Sequence, residues 1–112
     1  MKILNQPIKK AELPALDDIF GDKMTKAVVD VKRELLAIDA PMHYELEDLL
    51  LKDGSQQENL WGINLFPDNS DESFVIFDSL INIRPNQGNP SRDVVDENIQ
   101  RQIKTVVQKW VK

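Results

Sequence analysis

The strongest constraint on this chain is an apolar stripe between residues 23 and 38. Met24, Ala27, Val28, Val31, Leu35 and Ile38 recur at spacings near three and four, and Lys23, Lys26, Asp30, Arg33 and Glu34 fall on the other side. That period matches the turn of an α-helix and predicts an amphipathic one. Asp22 would cap it, and Lys26 would pair with Asp30 one turn on. Asp39-Ala40-Pro41 would end it, because the residue before a proline is pushed out of the helical region. Upstream, Leu13, Leu16, Ile19 and Phe20 have the same spacing. They predict a first helix over 8–20, with Pro14 in its first turn and Gly21 as its stop.

The middle of the chain changes period. Met42, Tyr44 and Leu46 alternate with His43, Glu45 and Glu47, which favours a strand; Leu49-Leu50-Leu51 breaks the alternation and leaves a short helix open as the other reading. Trp61, Ile63 and Leu65 alternate cleanly. Val75, Phe77, Ser79, Ile81 and Ile83 alternate until Pro85 stops the strand. A last helix, capped by Asp93 or Asp96, carries Val95, Ile99, Ile103, Val106, Val107 and Trp110. The expected fold is one α+β domain over residues 1–112: a helical hairpin, a three-stranded antiparallel sheet and a C-terminal helix.

The blocks Asp53-Gly54-Ser55, Leu60 to Pro67, Phe77 to Pro85, Gly88-Asn89 and Ser91-Arg92 resemble a family of small bacterial and archaeal proteins classed as a domain of unknown function. The resemblance covers nearly the whole chain, including Ala27 to Asp30, and implies no activity or catalytic residue. In element order alone, the chain is also similar to toxins of the RelE and ParE type. Those are typically basic, and this chain departs from them with its acidic middle.

Charge narrows the partners. Residues 39–80 hold one basic and ten acidic side chains, whereas residues 81–112 hold six basic and three acidic. An acidic middle repels phosphate, which argues against a nucleic acid as partner. The basic last third leaves room for a local anion site. With no cysteine and one histidine, thiol catalysis, disulfides and any two-histidine site are excluded. No apolar run reaches the ~20 residues of a membrane helix, and the first residues are too polar for a signal peptide, so the expected location is cytoplasmic.

Two constellations could carry chemistry. Asn64, Asp78, Asn82 and Arg84 would share the polar face of a strand pair, leading into a loop with Asn89 and Arg92. Two guanidiniums and several amides could hold a carboxylate or phosphate. In the structural reading, Arg84 pairs with Asp78, and Arg92 with Asp93 or Asp96. His43, Glu45 and Glu47 are metal-ligand types, but their spacing along a strand does not converge on an ion. No catalytic set, metal or cofactor is therefore assigned. The expected function is a small binding or protein-interaction module with an anion-binding patch at Asn64, Asp78, Asn82, Arg84, Asn89 and Arg92, for an unknown protein or a small anionic ligand. The alternative is a hydrolase or nuclease-like enzyme working through Arg84 and Arg92. A homodimer would use Val107 or Val111, on a last helix apolar over more than one stripe.

Overall fold

A computed structural model describes residues 1–17 and 21–112. In chain order its elements are β1 (Lys2–Ile3), β2 (Leu16–Asp17), β3 (Lys23–Asp30), β4 (Leu35–Ile38), α1 (His43–Lys52), β5 (Leu60–Leu65), α2 (Asp71–Phe74), β6 (Val75–Ile76) and α3 (Glu97–Trp110).

The stripe over 23–38 is a β-hairpin, not a helix. Val28, Val29, Leu36, Ala37 and Ile38 are all fully buried. A strand covered on both faces reads as an almost continuous apolar run, and this run also happens to fit a helical spacing. The β-branched Val28, Val29 and Val31 favour the pleated form. Asp30 decides the turn. Its Oδ1 accepts from the backbone N–H of Lys32 and of Arg33, both at 2.9 Å, the local bonding by which aspartate closes turns. The carboxylate is therefore not a helical partner of Lys26.

β3 sits at the centre. It pairs antiparallel with β4 (Val28 opposite Ala37) and with β5 (Val28 opposite Gly62). β1 adds beside β4 and β6 beside β5, giving the order β1-β4-β3-β5-β6, while β2 pairs with the first residues of β3. The sheet has five strands along this path, not three, because the hairpin joins it. Over the described part of the predicted helix, residues 8–17, no such helix forms. Lys10–Glu12 form a single 3-10 turn, Leu13 enters the core, and Leu16–Asp17 are β2. Ile19 and Phe20 lie outside the described residues. With no helical hairpin, the likeness in element order to RelE and ParE toxins falls away.

Residues 43–52 form α1, the second of the two readings. His43, Leu46 and Leu50 point inward at spacings of three and four, and Gly54, at φ 106°, follows the helix end. The strand predicted to reach Ile83 stops at Ile76, and Leu80–Asn82 make a 3-10 turn that begins at Ser79. Ser79 Oγ accepts from the backbone N–H of Ile81 at 3.3 Å, which bends the chain off the strand direction. α3 forms with the second of the two expected caps, and Val95, expected on its apolar stripe, precedes it and is exposed. Asp96 is its cap, accepting from Asn98 N at 2.7 Å and Ile99 N at 3.3 Å.

Both faces of the sheet are covered. Ala27, Val29, Leu36, Ile38, Trp61, Ile63 and Leu65 pack against Ile103, Val106 and Val107 of α3 and against Val111. On the other face, Val28, Ala37 and Leu60 pack against Leu46 and Leu50 of α1. Val107 and Val111 are thus core residues, 2% and 6% exposed, and present no free face to a second copy. Trp110 fixes α3 to the hairpin turn by donating Nε1–H to the Glu34 carbonyl at 2.8 Å.

Candidate functional site

The polar residues singled out in the sequence divide into two groups. Asn82, Arg84 and Asn89 finish the edge of the sheet. β6 pairs only with Asn64 and Leu65, so the start of β5 has no strand beside it. Asn82 takes that place with its side-chain amide, which mimics a peptide group. Its Oδ1 accepts from Gly62 N at 2.8 Å, and its Nδ2 donates to Gly62 O at 2.9 Å and to Arg92 O at 3.0 Å. Arg84 continues the edge. Its guanidinium donates to Leu60 O at 2.6 Å and to Gln57 O, and it lies 4.2 Å over the Trp61 ring. Asn89 donates to the carbonyls of Asn82, Ser91 and Asp93 and accepts from Val95 N. All three are at least nine-tenths buried.

Gly62 explains why this closure is so tight. A Cβ there would lie 2.5 Å from Ser79 Oγ and 2.6 Å from Ser79 Cβ. The Ser79 hydroxyl is fully buried against this glycine and carries no nucleophile's access to solvent. Glu47 of α1 faces the same region. Burial raises its carboxyl above the usual range, against a Gln57 hydrogen bond and the charge of Arg84, which both lower it. Burial likewise lowers the Arg84 guanidinium, and Glu47 opposes that.

Asn64, Asp78 and Arg92 go elsewhere. They line a groove of about 830 Å³ between the start of α1 and the sheet. Its floor is formed by Lys26 of β3, which stands opposite Asn64 of β5, and on the far side of Asn64 stands Ile76 of the edge strand β6. Met42 and Tyr44 on one side, and Ile76 and Leu80 on the other, give it an exposed apolar rim, Leu80 being 65% exposed. Four exposed apolar side chains around one hollow are more than the scattered surface leucine that needs no explanation.

Among the described residues, one charge of the groove has no counter-charge. Asp78 is paired with Arg92, Nε to Oδ1 at 2.6 Å, and not with Arg84. Asp39 lies 3.7 Å from the N-terminal ammonium. Lys26, half-buried on the floor, has no carboxylate partner among the described residues. His43 lies beside it. Its Nε2 is 2.8 Å from the Ile63 carbonyl, which can only accept, so Nε2 holds the proton and Nδ1 the lone pair. Burial lowers the pKa of this imidazole, while the Ile63 hydrogen bond opposes the shift; the charge of Lys26 lowers it further, and the neighbouring Asn64 side chain and Asp78 oppose it. His43 is thus neutral near pH 7 and adds no second positive charge. Asn64 donates Nδ2–H to Asp78 O at 3.3 Å, and its Oδ1 is buried without a partner.

His43, Glu45 and Glu47 do not gather. Among the described residues no three histidine or acidic side chains are placed to hold a metal ion. Sequence reasoning missed Lys26, reading it as the wet side of a helix. The usable signal was a cation between the apolar Met24 and Val28 on one strand face, visible only once 23–30 is read with period two.

Fold and groove together define a small α+β protein with an antiparallel sheet covered on both faces and a ligand-sized hollow. Residues 2–110 match the family model described as a protein of unknown function (DUF5674), and the chain belongs to that family. No curated protein and no solved structure matches it. No helix among the described residues is long and apolar enough to cross a membrane.

Proposed function

We propose that this protein is a binding module whose groove takes a small ligand with an anionic head and an apolar body. Lys26 holds the head, the Met42, Tyr44, Ile76 and Leu80 rim covers the body, and Asn64 lies between the two. The observation that carries this reading is Lys26, without a carboxylate partner among the described residues, on the floor of an apolar-rimmed hollow whose two carboxylates already have partners. A few placed polar groups in an apolar cleft are the ordinary build of a small-molecule site. Arg92 stands at the edge, paired through Nε, so its terminal nitrogens are not used by that bond.

The anion patch expected at the end of the sheet is thereby moved. Asn64, Asp78 and Arg92 stay in it, while Asn82, Arg84 and Asn89 bond the sheet edge and its loop instead. An enzyme working through Arg84 and Arg92 would need both guanidiniums at one substrate, and Arg84 spends its donors on Leu60 O and Gln57 O.

A ligand bound only by the native state raises its melting temperature. Medium-chain carboxylates and alkyl phosphates should therefore raise it, and their neutral methyl esters should not. Lys26→Met, which keeps the stem and removes the charge, should abolish the rise. No rise with any member of either series, or an undiminished rise in Lys26→Met, sinks the proposal.

A further inference from the structure

The groove holds one imidazole, and its surroundings are divided over charging it. His43 opens α1 and lines the groove, 8% exposed. Its Nε2–H is held by Ile63 O at 2.8 Å, which fixes the ring. The Asn64 side chain, whose Oδ1 is buried without a partner, lies beside the ring and favours its charged form, as does Asp78. Burial and the Lys26 ammonium favour the neutral form and prevail. A place in the first turn of α1 works the same way, because the positive end of a helix dipole repels a cation.

The charges around the ring come from few places. α1 packs against β3, β4, β5 and the turn at 80–82, and of these only β3 contains ionisable residues. β3 brings Lys26, while Lys23 is exposed at its start and Asp30 closes the hairpin turn at its other end. The chain before the turn brings Asp78, paired with Arg92, and the chain after β4 brings Asp39, paired with the N-terminal ammonium. On α1 itself, Tyr44 and Glu45 lie on other sides of the helix, and Glu47 is turned toward Gln57 and Arg84.

An anionic head on Lys26 changes this balance. It cancels the repulsion that the ammonium exerts on a charged imidazole and adds an attraction of its own. In a site partly shielded from water that effect acts over several ångströms, so the head does not have to touch the buried ring or Asn64. We infer that the groove takes up its anion together with a proton, which His43 holds. This rests on the binding reading above and deepens it by naming what regulates the site. Linkage fixes the sign: a ligand that favours protonation binds more tightly as the pH falls.

The chain has a single histidine, so one set of imidazole NMR signals reports on His43. Octanesulfonate and octanoate are the probes, because their heads stay ionised at neutral and mildly acidic pH and exchange no proton of their own. A saturating amount of either anion that binds should move the His43 titration midpoint upward. By calorimetry its affinity should rise roughly tenfold between about pH 8 and pH 6, the scale of one attraction between unit charges several ångströms apart near a protein surface. Heats in two buffers of different ionisation enthalpy should show proton uptake. His43→Gln keeps a donor for Ile63 O and leaves Asp39 and the N-terminal ammonium in place. It should bind without proton uptake and with a flat pH dependence. A midpoint unmoved at saturation in the parent protein overturns the inference and leaves the binding reading standing. A pH dependence that survives in His43→Gln does the same. Absence of binding by both anions at every pH overturns both.

Discussion

Gly62 is the residue at which a single methyl group decides the most. A Cβ at 2.5 Å from Ser79 Oγ has to displace the segment that closes the sheet edge. Gly62→Ala should lose about 1–3 kcal/mol in urea unfolding, the usual cost of overpacking. Adding Ser79→Gly should restore part of that loss, because it removes both nearest atoms. Asn82 is the other critical position there. Asn82→Ala strands the N–H and C=O of Gly62, each at about 1–3 kcal/mol if left unpaired. His43 gives stability a pH dependence. Its folded pKa lies below the roughly 6.5 of an unfolded chain, so the native state binds fewer protons. Stability is then full above pH ~6.5 and falls as the pH drops below it. Histidine 43 replaced by glutamine (His43→Gln) should flatten that slope between neutral and mildly acidic pH, and an unchanged slope would place the titration elsewhere.

The β3–β4 hairpin is closed at the level of the element. Asp30 draws its turn together through two backbone N–H groups, and Glu34 completes it at φ 56°, a region where side chains other than glycine's are strained. Arg33 ties the turn to the end of α1, donating to Ser55 Oγ at 2.8 Å and Asp53 Oδ2 at 2.9 Å. The Asp53-Gly54-Ser55 block therefore serves the hairpin as well as its own turn. Glu34→Gly is expected to stabilise the protein by about 0.5–1 kcal/mol, since it relieves strain at an exposed position whose bonded atom is the backbone carbonyl. Asp30→Ala should destabilise it by more than the reverse of that gain. Thermal melts of the two variants against the parent decide both, and a lower melting temperature for Glu34→Gly would show that the positive φ is not strained here.

The whole molecule places its only described helices of substantial length on opposite faces of one sheet, α3 over the larger core and α1 over the smaller. The groove exists because α1 begins partway across the sheet and leaves the row Lys26–Asn64–Ile76 uncovered at its N-terminal end. The same layering commits Val107 and Val111 to the core. Val107→Glu should therefore lower stability by several kcal/mol, as an unpaired buried charge does. It should not act by dissociating an assembly. Sedimentation and denaturant unfolding of the variant separate these outcomes.

Local rules in the sequence were enough for α3, whose apolar stripe leaves one reading although its cap was open between Asp93 and Asp96, and for β5, whose Trp61-Gly62-Ile63-Asn64-Leu65 alternation has a single period. They also showed Asn82, Arg84 and Asn89 to be special, though not what for. An amide or a guanidinium reads alike in sequence whether it meets a ligand or a bare strand edge. Period failed at 23–38 because burial on both faces erases the alternation that marks a strand. It failed at 43–52 because His43 and Glu47 are polar residues turned inward. Which periodicity won was settled by the layers on either side, and so was the lack of a carboxylate partner for Lys26 among the described residues, since Asp39 is taken by the N-terminal ammonium and Asp78 by Arg92. Those pairings depend on how the sheet assembles, and no local spacing rule specifies them.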